Sequence, residues 1–579
     1  MKKTLYTTLF LISSFVYSQI NYQRTWATYY GGRTTITQGA EIDSQENVYV
    51  ASAVYGINAL YLNSFVTPNA FLTEYFEETG TPMITKFNAN GQLIWSTFYS
   101  GGDISQIGVD KDDNIYIAGI TANPVGIATP NCFQPNLVTT NGNSENGYIA
   151  KFNPDGQLLW ATYYPSHIVA FCTDSQGNIF ISGWTDRVTG MTMPDAYQEN
   201  FIIATTPGNG LQNGFLAKFD TNGNRVWATY YGLGLVLGLA VDEFDQLYVA
   251  GHTSENESGY YATIDCFQSQ TGVGFLSKFD TQGQRVWSTY YNGQINDLQV
   301  NRSDVYLAGI SSNSPNLATE NAYQTIQGSA VDVFLSKFTT TGEQVWSTYY
   351  GGNKNEGDYS GYYGRMISFS GNDVYLTADT QSQNNIATPN SFKDTYTGGG
   401  DITDYSDNFI VKFNEQGERE WATYYGGERG ESNSSVIPMY NGSFYTCGTT
   451  ESSFGMATVG AQQPNLSSFN SVPGSNAYLA RFYIAPLNNA TFDKDSFSLY
   501  PNPSNGNFTI KAKLKDTLEN GGIIIYDNLG REIVKTLLVI NQNTVNQNFN
   551  FDSIVTPGIY FLKIIDNKET LQTFKIIIN

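Results

Sequence analysis

Three stretches of this sequence crowd acids against tyrosines. "GGNKNEGDYSGYYG" (351–364), the run ending "DTYTGGGDITDYSD" (394–407) and "GGERGESN" (426–433) supply Glu356, Asp358, Asp401, Asp404, Asp407, Glu428 and Glu431. Tyr359, Tyr362, Tyr363, Tyr396 and Tyr405 lie among them. Three chemistries suit such a set. Aromatic rings stack on sugar faces while carboxylates hydrogen-bond the hydroxyls. A carboxyl pair at suitable separation hydrolyses a glycosidic bond. Several convergent oxygens hold a hard cation. A fourth reading needs no site: solvated loops in an acidic chain that carries 41 tyrosines.

Other reactive residues are sparse. His167 and His252 are the two histidines, and no GxSxG or HExxH pattern accompanies them. A His₃ zinc site is excluded by count, and a serine triad has no support. "DKDDN" (110–114) alternates oxygen ligands but lacks the Gly and distal Glu of a calcium loop, so it reads as a polar hairpin turn. Four cysteines are too few for a stapled scaffold, and Cys132 and Cys266, at one repeat position, read as small buried thiols. No metal or cofactor is expected.

The elements that would position the acids are repeats. Trp26, Trp95, Trp160, Trp227, Trp287, Trp346 and Trp421 each begin W-[AS]-T-[YF]-Y, at spacings of 59 to 75 residues. All but the first follow a unit such as "FLAKFDTNGNRVWATYY" (215–231), two alternating stretches around a turn containing Asn-Gly. After most Trp segments comes another pair, as in "GLAVDEFDQLYVAG" (238–251). One repeat is therefore about four short strands, the signature of a β-propeller blade.

Counting the lead-ins predicts closure. "MITKF" (83–87), "YIAKF" (148–152), "FLAKF" (215–219), "FLSKF" (275–279), "FLSKF" (334–338), "FIVKF" (409–413) and "YLARF" (478–482) are offset by one from the Trp strands. The first Trp strand lacks a lead-in and the last lead-in lacks a Trp strand. In a ring these orphans pair, which removes exposed sheet edges. The expected fold is all-β: a seven-bladed β-propeller closed by an N-terminal strand, then a small C-terminal β-sandwich. The basic residue of each lead-in (Lys86, Lys151, Lys218, Lys278, Lys337, Lys412, Arg481) reads as architecture. It persists where the "VD" aspartate is lost, as in "LQVNRSD" (298–304).

The array resembles the bacterial SBBP family of β-propeller repeats, through "TPNAFL" (67–72), "TPNCFQ" (129–134), "TPNSFK" (389–394), the "KFD..G" turns and the "TYYGG" copies. That resemblance implies fold and little about activity. In similar propellers the "VD" strand is innermost and the Trp strand outermost. The long inserts then share one face with the "TYYGG" connections, and that face is the functional candidate because binding residues concentrate on long loops.

After residue 486 the pattern stops. "FSLYPNPSNGNFTI" (497–510), "IYDNLGREI" (525–533) and "TPGIYFLKI" (556–564) resemble the C-terminal sorting domain of type IX secretion cargo in Bacteroidetes. That resemblance implies passage through the periplasm, export across the outer membrane and removal of the domain near a 487–496 linker. The start, "MKKTLYTTLFLISSFVYSQ", reads as a signal peptide, 1–18, and no later apolar run approaches the ~20 residues of a membrane span. The domains expected are thus 1–18, a propeller at 19–486, the linker, and a sorting domain at 497–579.

Formal charge is −22, with −25 on residues 19–496 once the basic signal and C-terminal segment are set aside. Such a body repels nucleic acid. The expected role is a secreted or cell-surface adhesion module, monomeric, with a glycan or protein ligand and the type IX machinery as partner. The alternatives are an extracellular glycan-active enzyme using the loop carboxylates, or a structural surface or matrix component.

Overall fold

A computed structural model describes residues 22–578 apart from 33, 56–65, 75–79, 101, 140–144, 204–211, 254–259, 313–315, 358–364, 398–405, 470–471, 485–495, 514–520, 528–530, 542–543, 552–555 and 567–568. The stretch read as a signal peptide, 1–18, and nearly all of the stretch read as a linker, 487–496, lie outside them. Two compact units divide between Ile484 and Ala485. No helix among the described residues is long and apolar enough to cross a membrane.

In the first unit the strands form antiparallel four-strand meanders, labelled here as blades in chain order. Blade 1 is Thr34–Ile42, Val48–Tyr55, Thr81–Phe87 and Leu93–Phe98; blade 2 is Asp103–Val109, Ile115–Thr121, Asn146–Phe152 and Leu158–Tyr164. Blades 3 and 4 share one long strand, Arg225–Val241. Its first half completes the sheet of His167–Thr173, Ile179–Thr185 and Asn213–Phe219. Its second half opens that of Leu247–Thr253, Gly274–Phe279 and Arg285–Tyr291. Blade 5 is Gln294–Asn301, Asp304–Ser312, Val331–Thr339 and Gln344–Tyr350; blade 6 is Ile367–Ser370, Asp373–Thr380, Asp407–Phe413 and Arg419–Tyr425. Blade 7 takes Glu431–Pro438, Phe444–Thr450 and Asn476–Ile484, and its outer strand is the N-terminal Tyr22–Tyr30. The lead-in and Trp segments left single in the sequence are therefore partners, with Trp26 opposite Arg481.

Alternation explains the packing. Each sheet buries apolar side chains on both faces between neighbouring blades, and the tyrosines are largely core residues: Tyr49, Tyr116, Tyr148, Tyr164, Tyr230 and Tyr248 are all fully buried. A Trp of one blade lies over the turn glycine of the next. A Cβ at Gly283 would stand 2.9 Å from the Trp227 ring, and Gly283 is at φ +80°, so glycine is required twice over. Neighbouring inner strands touch directly: Ser105 Oγ donates to Ile168 O (2.8 Å) and Ile367 N to Asp297 Oδ2 (2.7 Å).

The basic residue of each lead-in is an architectural anchor. Lys86, Lys151, Lys218 and Lys278 reach Asp43, Asp110, Asp174 and Asp242 at 3.0 to 3.5 Å. Where the "VD" aspartate is missing another acid takes its place: Asp304 for Lys337, Asp373 and Glu420 for Lys412, each at 2.8 Å, and Glu46 of blade 1 for Arg481 at 3.0 Å. "DKDDN" behaves likewise: Asp110 accepts from Asn114 and pairs with Lys151, while Asp113 accepts from Ser44. All four cysteines are free, and Cys132 and Cys266 are half-buried rather than fully buried, because their position lies on the outer edge of the blade.

The second unit holds two four-stranded sheets. One contains Ser496–Tyr500, Asn507–Lys513, Ile540–Asn541 and Thr544–Asn550; the other Gly522–Asp527, Glu532–Leu537, Gly558–Asp566 and Glu569–Ile578. Phe508, Ile510, Ile523, Leu562, Ile564 and Ile576 share one buried core, as expected of a β-sandwich.

Candidate functional site

The inserts do two separate things. Their "TP..F" portions run along the outer strand of their own blade: Thr388 N donates to Ala422 O and Tyr424 N to Lys393 O, both at 2.9 Å. The same pair of bonds recurs as Thr67–Ser96 and Phe98–Leu72 in blade 1, and as Thr458–Ala27 and Tyr29–Gln463 in blade 7. These segments cover sheet edges that would otherwise template aggregation. Their aromatic residue packs on the lead-in Phe of the next blade, as Phe133 on Phe219 (5.6 Å) and Phe392 on Phe482 (4.9 Å). That part of each insert is scaffold.

The residue ending the covering segment ties it to the start of the lead-in strand. Gln134 donates to Asn146 (3.1 Å) and Gln463 to Asn476 (3.0 Å). In blade 5 the Asn becomes Asp332, which accepts from Gln324 (3.0 Å). In blade 6 both change: Lys393 Nζ lies 2.8 Å from Asp407 Oδ2 and 2.8 Å from Gly426 O.

A glutamate joins each of these aspartates. Glu356 Oε1 accepts from Thr380 (2.9 Å) and Oε2 from Gly352 N (3.3 Å). Glu431 repeats this with Thr450 (2.7 Å) and Gly427 N (3.1 Å). A Cβ at Gly351 would collide with both Glu356 and Asp332, and one at Gly426 with both Glu431 and Asp407. Each Glu–Asp pair therefore meets around one glycine. Burial, with the neighbouring aspartate adding to it, pushes the Glu356 and Glu431 carboxyls up to about 8. Burial also raises Asp332 and Asp407. Asp407 Oδ1 has no hydrogen-bond partner among the described residues.

Of the acids singled out in the sequence, Glu356, Asp407 and Glu431 are thus brought together in loop-holding contacts, each 1% exposed or less. Glu428 lies apart, its carboxylate held below the usual range by Ser453 and Phe454 backbone and hydroxyl donors despite partial burial. Tyr396 packs on Tyr424 at 6.0 Å. Asp358, Tyr359, Tyr362, Tyr363, Asp401, Asp404 and Tyr405 lie outside the described residues.

A second polar site was missed by the sequence reading. The inner strands enclose a cavity of about 210 Å³ containing Glu41, Gln106, Cys172, Asp297, Gln299 and Arg365. Arg365 Nη1 lies 2.5 Å from Glu41 Oε1, and buried Asp297 accepts from Ile367 N and Gln299. Burial raises both acids even with Arg365 beside them. The available signal was "GAEID", "SQIGV" and "INDLQV": polar side chains on inner strands where sister blades carry Gly or Ala.

The fold is that of a β-propeller joined to a β-sandwich. Residues 498–579 match the secretion system C-terminal sorting domain. That domain marks proteins secreted by the type IX system to the cell surface or the extracellular space, and it places this chain among its cargo. An uncharacterized WD repeat-containing protein of Acanthamoeba polyphaga mimivirus is 30% identical over 216 residues, covering 31% of this chain. The match spans 15% of that relative's length. Among solved structures, the Dos1 propeller shares 9% identity over 81% of this chain and 95% of its own, at a TM-score of 0.38. BamB of Moraxella catarrhalis shares 13%, covering 79% and 97%, at 0.32. A catalytically inactive virginiamycin B lyase of Staphylococcus aureus shares 10%, covering 80% and 99%, at 0.35. None of these carries an argument about what this chain binds.

Proposed function

We propose that the mature protein is a surface-attached or released binding module, a seven-bladed propeller that presents its insert loops to a glycan or protein ligand. The observation that carries this reading is the union of a type IX sorting domain with a scaffold that fastens its own loops. Edge-covering segments and buried Glu–Asp pairs hold the insert face in place, which lowers the conformational entropy lost when a ligand docks. Asp358, Tyr359, Tyr362, Tyr363, Asp401, Asp404 and Tyr405 stay the first residues to substitute.

The test is retention of the secreted full-length chain on insoluble polysaccharides and matrix preparations, with the supernatant assayed for released oligosaccharide. Retention without release is expected. Release would replace this reading with that of a glycan-active enzyme. No retention on any matrix would leave a structural surface component.

A further inference from the structure

The face opposite the inserts carries a cleft where two blades fail to be stapled. Blade-to-blade contact between inner hairpin tips uses one device at two junctions. Between blades 1 and 2, Ser44 donates its backbone N–H and hydroxyl to Asp113 at 2.9 and 2.7 Å. Between blades 3 and 4, Ser175 does the same to Asp245, both at 2.8 Å. At the intervening junction the two positions are Lys111 and Gly177, so the staple cannot form. Lys111 turns to its neighbour Asp112 at 3.1 Å, with both side chains more than 60% exposed.

At this junction a cleft of about 500 Å³ lies between blades 2 and 3. Leu159, half exposed, and the part of the Trp160 indole left open by its packing over Gly223 and its bond to Thr221 O (3.1 Å) supply an apolar surface. Gln176 and Asn222, both exposed, offer amide donors and acceptors at the rim. The charges within it balance: the buried Asp110–Lys151 pair (3.2 Å) and the exposed Lys111–Asp112 pair. Leu159 and Trp160 are the apolar members of a lining that is otherwise polar and charged, with amide and hydroxyl groups beside one aromatic ring.

We propose that this cleft binds a neutral saccharide chain, one sugar ring lying on Trp160 and its hydroxyls on Gln176 and Asn222. This rests on the binding-module reading and adds a second site to it, on the face with short turns. Neutral charge is assigned because the cleft is balanced while the surrounding body is strongly acidic and repels anionic sugars.

The neighbouring junctions supply the test. Asp113 and Asp245 hold φ 62° and 59°, and Gly177 has φ 81° with only Thr221 Cγ2, at 3.3 Å, near an added Cβ. The double variant Lys111→Ser/Gly177→Asp therefore installs the sister staple and closes the cleft without touching the core. Calorimetric titration of the full-length protein with cellohexaose, laminarihexaose and mannohexaose should show saturable binding of at least one. The closed variant should bind it at least tenfold more weakly with an unchanged or higher Tm, and Trp160→Leu should lose the accompanying fluorescence change. Unaltered affinity in the closed variant overturns the cleft and leaves the insert-face reading standing. No saturable binding to any of the three overturns the saccharide assignment, as does a preference for oligogalacturonate.

Discussion

Trp26 and Arg481 stand opposite one another in blade 7 and donate to the same acceptor: Ala89 O of blade 1, at 2.9 and 2.7 Å. The first and last strands of the propeller thus converge on one carbonyl in the adjoining blade. Trp26 also lies over Gly91, so the closing contact combines packing with two hydrogen bonds.

Removing that contact should loosen the ring at its seam. Trp26→Ala loses a half-buried indole and a hydrogen bond and should cost about 2–3 kcal/mol. Trp26→Phe keeps most of the packing and should cost about 1 kcal/mol. Guanidinium denaturation of the full chain measures both, and limited proteolysis of Trp26→Ala should release the N-terminal strand first. Equal stability of wild type and Trp26→Ala would mean that the seam is held elsewhere.

The Glu–Asp pairs give stability a pH dependence of defined sign. Glu356 and Glu431 are raised from 4.5 to about 8 in the fold, so the folded state binds their protons more tightly than the unfolded chain does. Their contribution is complete below pH 4.5 and is lost as pH rises through 8. Glu356→Gln/Glu431→Gln removes both titrating groups while keeping their shape, and should flatten the loss of Tm between pH 5 and 9. Identical pH profiles for the variant and wild type would show that both glutamates are ionised at neutral pH.

Lys393 sits where most sister blades carry Gln, and it bridges Asp407 to Gly426 O. Lys393→Met leaves a buried carboxylate without its cation and should destabilise by about 3 kcal/mol at pH 7. The deficit should shrink as pH falls, because burial raises Asp407 and its protonation removes the unpaired charge. A pH-independent deficit would trace the effect to lost packing alone.

Deleting 498–579 removes the segment that matches the sorting domain and should hold the propeller inside the outer membrane. Cell fractionation with an antibody to the propeller reads this directly. Wild-type surface or medium levels of the truncated chain would remove the domain's role in export.

The Lys anchors show where local pattern suffices and where it stops. From "LQVNRSD" the sequence indicates that Lys337 survives loss of the "VD" aspartate; that Asp304, from the same tightened turn, replaces it at 2.8 Å is visible only in three dimensions. The acids of the sixth-blade sector show the same limit. Glu356, Asp407 and Glu431 read as loop residues open to solvent, and the fold closes them in pairs around Gly351 and Gly426. Nothing in their spacing distinguishes a glutamate that faces a sugar from one that holds down its own loop.

By itself the sequence determined the four-strand repeat and the pairing of its two orphan segments, while the order of strands within a blade came from the resemblance to similar propellers. Alternation, turn residues and a count of lead-ins against Trp strands are local or arithmetic properties of the chain. Tertiary structure alone decided that the "TP..F" segments cover sheet edges, that three acids are consumed in buried contacts, and that one junction lacks the staple its neighbours share. Those outcomes depend on side chains tens to hundreds of residues apart meeting across blades, where burial and hydrogen bonding decide what each polar group is free to do.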